Sequence, residues 1–90
     1  MKIDVYDTYA VSHAGQMLHF DVLLPHDAGK EAALRYARAF LESIGEAPDA
    51  LRSERCNFCH SEPAHPIVEA AIVQTGHYIL QMEGCPTPYR

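Results

Sequence analysis

Two segments near the N-terminus alternate apolar and polar side chains with period two, the signature of half-buried strands. Residues 3–11 set Ile3, Val5, Asp7, Tyr9 and Val11 against Asp4, Tyr6, Thr8 and Ala10. Residues 18–24 set Leu18, Phe20, Val22 and Leu24 against His19, Asp21 and Leu23. The polar stretch Ser12-His13-Ala14-Gly15-Gln16 joins them and predicts a hairpin. With Ala14-Gly15 as the turn, Val11 meets Leu18, Tyr9 meets Phe20 and Val5 meets Leu24. That register gathers the apolar residues on one side, apart from Tyr6 and Leu23, which pair on the back.

Pro25 ends the second strand, because it has no N–H to give a ladder. Beyond it the apolar period changes to that of a helix. Ala33, Ala37, Phe40, Leu41 and Ile44 form one stripe, with Asp27 as the expected N-cap and Gly45 as the stop. A third strand is expected over Leu51 to Phe58. A second helix should begin at Pro63 or Pro66, capped by Ser61, turn Val68, Ala71, Ile72 and Thr75 inward, and end at Gly76. Tyr78, Leu80 and Met82 alternate as a last strand. The order β-β-α-β-α-β predicts an α+β two-layer sandwich, with an N-terminal antiparallel hairpin and two helices packed on one face of a four-stranded sheet. One domain over residues 1–85 is expected, followed by a short flexible tail at 86–90.

The chain has 90 residues, which is enough for one modest core. Seven basic and twelve acidic side chains give a net charge of −5, with no basic run, which argues against a nucleic-acid partner. No stretch has the apolar length of a membrane helix, and the N-terminus lacks the apolar segment of a secretory signal, so a cytoplasmic location is expected. In a reducing compartment the three cysteines should be free thiols, metal ligands or redox groups.

Two of them lie in Cys56-Asn57-Phe58-Cys59-His60, and the third is Cys85. A zinc centre would draw on Cys56, Cys59 and Cys85 with His60 or His65, although a regular strand points Cys56 and Cys59 to opposite faces. A redox dithiol would need a helix N-terminus closer to Cys56 than the pattern gives. C-x-x-C-H is also the covalent haem motif, but that attachment happens outside the cytoplasm. The plainest reading is that the cysteines act as small apolar groups at the edge of the core. Next to one another on a strand, Cys59 and His60 are not expected to act as a nucleophile and its base.

Val5-Tyr6-Asp7-Thr8-Tyr9, His19-Phe20-Asp21-Val22, Cys56 to Ser61 and Met82-Glu83-Gly84-Cys85 carry a further signal. In this order they resemble the bacterial domain-of-unknown-function family DUF2024. The resemblance spans nearly the whole chain and implies a compact α+β domain, but no activity.

Asp7 breaks the pattern, because the expected register sets a carboxylate on the apolar face opposite Val22. Across the sheet, Thr8, His19 and Asp21 form a second polar group, so Asp7, Thr8, His19 and Asp21 are candidate site residues. Tyr6 and Leu23 on the back face suggest a homodimer contact. No phosphate loop, nucleophile elbow or zinc-protease motif occurs. The expectation is a non-enzymatic binding or interaction module, with a zinc or thiol-redox site as the alternative.

Overall fold

The computed structural model describes residues 1–88. It contains a four-stranded antiparallel sheet and two α-helices, in the order β-β-α-β-α-β. Strand β1 (Lys2–Val11) and strand β2 (Met17–Pro25) form the hairpin. Helix α1 (Lys30–Ser43) leads through two single 3-10 turns, Pro48–Ala50 and Ser53–Arg55, into strand β3 (Cys56–Pro63). Helix α2 (Pro66–Thr75) and strand β4 (Tyr78–Gln81) follow. The sheet order is β3-β1-β2-β4, so the hairpin is central and both later strands are edges. The tail expected at 86–90 lies partly outside the described residues.

The hairpin forms where the alternation places it, but its register is one residue away from the expected one. Val11 pairs with Met17, Tyr9 with His19, Asp7 with Asp21 and Val5 with Leu23. The loop explains the slip. Ser12 N–H donates to the Gln16 carbonyl at 2.8 Å, leaving His13, Ala14 and Gly15 as a three-residue loop with Gly15 at φ 82°. Such loops end in a left-handed residue, a conformation that favours glycine. A loop of odd length pairs odd positions with odd, where the two-residue turn would have paired odd with even.

The helices therefore lie on opposite faces of the sheet, not together on one. Under α1 sit Tyr6 and Ala10 of β1, Leu18, Phe20, Val22 and Leu24 of β2, and the buried helix residues Ala33, Ala37 and Leu41. Leu51, expected to start a strand, is 1% exposed and packs into this same core from between the two 3-10 turns. Under α2 sit Ile3, Val5 and Leu23 with Val68 and Ile72, flanked by Tyr78 and Leu80. The apolar residues of β1 and β2 that looked like one face thus split between two cores. Tyr6 and Leu23, expected to pair on an open back, face opposite ways, each into a core.

Two caps also differ from expectation. Gly29, not Asp27, precedes α1, and Asp27 sits at φ 67° in the turn where Ala28 N–H reaches the Pro25 carbonyl. His65, not Ser61, precedes α2, because β3 continues through Ser61 to Pro63. Gly76 closes α2 at φ 89° as the sequence predicts.

Strand β3 begins at Cys56, so the cysteine segment is itself an edge strand. It pairs regularly with β1 from Thr8–Cys56 to Tyr6–Phe58, then resumes at Val5–His60. Cys59 is the extra residue of a β-bulge. The rest of the α2 face, toward the hairpin loop, is not covered by a helix, and the candidate site lies there.

Candidate functional site

Alternation along the strands sets Asp7 of β1 and His19 and Asp21 of β2 side by side on the α2 face. His19 Nε2–H donates to Asp7 Oδ1 at 2.6 Å and stands 3.9 Å from Asp21 Oδ1. Tyr9 stacks on the imidazole at 4.3 Å with the planes 11° apart, which fixes the ring orientation. The backbone of His19 is clasped by the turn after β4. Its N–H donates to the Glu83 carbonyl, and its own carbonyl accepts from Met82 N–H at 2.9 Å and Cys85 Sγ at 3.4 Å.

Asp7 and Asp21 are direct cross-strand partners, an arrangement that is unfavourable for like charges. Burial, the Asp7 charge and a hydrogen bond between the two carboxyls push Asp21 up to about 6, against the weaker opposing pull of His19 and His60. Donor atoms of Asp7, His19 and Asp21 all lie within 4.8 Å of one another, so the trio offers three ligands to a cation. Thr8, the fourth candidate, is not with them. It is fully buried under α1, where its hydroxyl donates to the Tyr6 carbonyl at 3.2 Å and lies 3.5 Å from Cys56 Sγ.

Beside Asp21 a cleft of about 730 Å³ opens between the sheet and the start of α2. Val5, Leu23, Val68, Tyr78 and Leu80 make its apolar wall, and Asp21, His60, Glu62 and His65 bring polar groups to it. The cleft exists because α2 covers only part of its face. His60 and Glu62 reach it from β3 because the bulge restores both to the α2 side, opposite Val5 and Ile3.

The structure does not gather Cys56, Cys59, His60, His65 and Cys85 into one cluster. Cys56 is fully buried under α1 on the β3 side of β1, and burial pushes its thiol up. Cys85 is 6% exposed on the β4 side of β2, and burial pushes its thiol up too. Both central strands separate these two thiols, each strand spacing being about 4.8 Å, whereas one zinc ion holds its sulfurs at about 2.3 Å. Cys59 is exposed. Its Sγ lies 3.3 Å from His60 Nδ1, and His60 Nε2–H donates to Glu62 Oε1 at 2.6 Å. The periodicity of a regular strand gave no hint of this contact, because the bulge that turns Cys59 toward His60 leaves no mark in the sequence.

A second polar cluster was also missed. Asp4, 5% exposed, accepts from Ser61 Oγ at 2.6 Å, His26 Nδ1 at 2.8 Å and Asp27 N–H at 3.0 Å. Burial makes Asp4 harder to ionise, but these donors outweigh that and bring its pKa down to about 2. These three hydrogen bonds join β1 to β3 and to the turn before α1, which is a structural role.

A family model described as "Domain of unknown function (DUF2024)" matches residues 1–82. The chain belongs to this family. A solved structure is similar to this chain over most of its length. The NMR structure of protein NE1680 from Nitrosomonas europaea is 45% identical and superposes with a TM-score of 0.83, covering 94% of this chain and 99% of that one. No curated protein matches the DUF2024 chain. The matched residues include the Asp7–His19–Asp21 trio, the bulged strand and the cleft. Among the described residues, no helix is long and apolar enough to cross a membrane.

Proposed function

We propose that this DUF2024 protein is a small-molecule binding module of the cytoplasm whose ligand sits in the cleft between α2 and the open half of the sheet. The cleft itself carries the reading. Its volume falls within the range of about 300–1,000 Å³ usual for ligand sites, and its composition is the usual one, an apolar wall with a few convergent polar groups. Asp21 supports it, because a protein that keeps two carboxylates opposed at a cleft gives up stability there. Three free thiols, one of them exposed, suit a reducing compartment.

A fragment screen read by amide and methyl NMR shifts tests this. Binders should perturb Val5, Leu23, Val68 and Leu80 together. Hits scattered over the surface, or confined to the far side of α1, would remove the cleft from consideration.

A further inference from the structure

We propose that Cys59, His60 and Glu62 form a nucleophilic thiol site at the rim of the cleft, one that takes an α,β-unsaturated carbonyl compound by addition. The inference rests on geometry that the regular strand would forbid. On an unbroken strand, neighbouring side chains point to opposite faces. The bulge adds Cys59 as an unpaired residue between the Tyr6–Phe58 and Val5–His60 pairs, and its sulfur comes within 3.3 Å of His60 Nδ1. Glu62 accepts from the other ring nitrogen at 2.6 Å, so the proton sits on Nε2 and Nδ1 is left free to accept from the thiol.

Nucleophile, base and orienting group are thus in line, the arrangement that activates a thiol without a metal. His60 and Glu62 line the cleft and Cys59 does not, but its sulfur is 3.3 Å from the His60 ring, so an electrophile whose apolar body lies in the cleft would need to reach only past that ring. Cys59 is the exposed cysteine of the three, while Cys56 and Cys85 are buried in the core beneath α1.

An addition uses all that the relay holds. The thiol proton passes to His60 Nδ1 as sulfur bonds to the β-carbon. The electron pair of the carbon–carbon double bond moves to the α-carbon, which then takes the proton back from His60. One S–C bond forms, one π bond is lost, and no other reactant is needed. Cys59 is the nucleophile and His60 the base. Glu62 is a positioning residue, acting through the tautomer and orientation of His60.

Acrylamide is a suitable probe, with adducts located by peptide mass mapping at pH 7.5. Cys59 should be modified at least tenfold faster than the thiol of glutathione. His60→Gln and Glu62→Gln should each lower that rate at least fivefold. At pH 10, where thiols ionise without a base, wild type and both variants should converge. Far-UV circular dichroism and continued protection of Cys56 and Cys85 from acrylamide without denaturant confirm that the variants are folded. Modification of Cys59 at the glutathione rate would overturn the proposal, as would a His60→Gln rate equal to wild type at pH 7.5. A deficit that persists undiminished at pH 10 would also overturn it, because it would show loss of access instead of loss of a base.

Discussion

Replacing Asp21 with Asn should make the protein more stable at neutral pH. In the folded chain Asp21 is raised from 3.8 to about 6, first by burial and then by Asp7. A carboxyl that holds its proton more tightly when folded favours the native state in acid. That advantage is lost as pH rises from about 4 through about 6, and the native state then carries the full penalty of the ionised pair. Two units at 1.36 kcal/mol each set a ceiling of about 3 kcal/mol. The Asp21 side chain is 14% exposed and that of Asp7 is 39% exposed, so solvent screens part of the repulsion and about 1–2 kcal/mol is expected. Asn keeps the shape and can still donate to Asp7, but it cannot ionise. Asp21→Asn should therefore gain about 1–2 kcal/mol at pH 7.5, or roughly 5–10 °C in melting temperature. The gain should shrink below pH 6 and vanish near pH 4. Urea unfolding followed by far-UV circular dichroism from pH 4 to pH 8 measures it. A variant less stable than wild type at pH 7.5, or a gap that ignores pH, would refute the account of the Asp7–Asp21 pair.

Asp4 should behave in the opposite sense. Its pKa falls from 3.8 to about 2, so its contribution is complete above about pH 4 and is lost as pH falls through 2. Asp4→Asn should cost about 2 kcal/mol at pH 7, and its deficit should narrow in urea melts at pH 3. A methyl group at Gly84 would lie 2.3 Å from the Met17 carbonyl oxygen, on a backbone at φ 81°. Gly84→Ala should cost at least about 2 kcal/mol by thermal melting and release the clasp on His19; a neutral substitution would show that the turn is not tight. A chromogenic disulfide reagent should titrate one thiol per native chain, Cys59, and three after denaturation, because Cys56 and Cys85 are 0% and 6% exposed. Three fast thiols in the native protein would contradict the burial of those two.

The sequence was most legible where a single pattern ruled one element. The stripe of α1, the proline and glycine that bound α2, and the existence of the hairpin all follow from local periodicity and backbone chemistry. The register did not, for two reasons. Both sheet faces are apolar where a helix covers them, so the alternation could not choose between two pairings one residue apart. The choice fell to the loop: a two-residue turn at Ala14-Gly15 would need a positive φ at Ala14, and the three-residue loop His13-Ala14-Gly15 needs one only at Gly15. Strand β3 was misplaced because it is an edge with only Cys56 buried, and so carries no alternation. Asp7 stood out as a carboxylate in an apolar series, but its true neighbours, His19 and Asp21, appear beside it only in the observed register. The cleft was invisible, since it requires α2 to lie on the face opposite α1. Glu62 was overlooked for a simpler reason: nothing marks a glutamate two residues after a histidine as its partner until a strand aligns them.

The short connection at His13–Gly15 acts on chemistry it never touches. A tighter two-residue bend that paired Val11 with Leu18 would rotate one arm of the ribbon half a turn relative to the other, sending Asp7 and His19 to different sides of the molecule. Bends of three to five residues can keep the present partners, so what this connection must preserve is who meets whom, and its length can vary as long as it does.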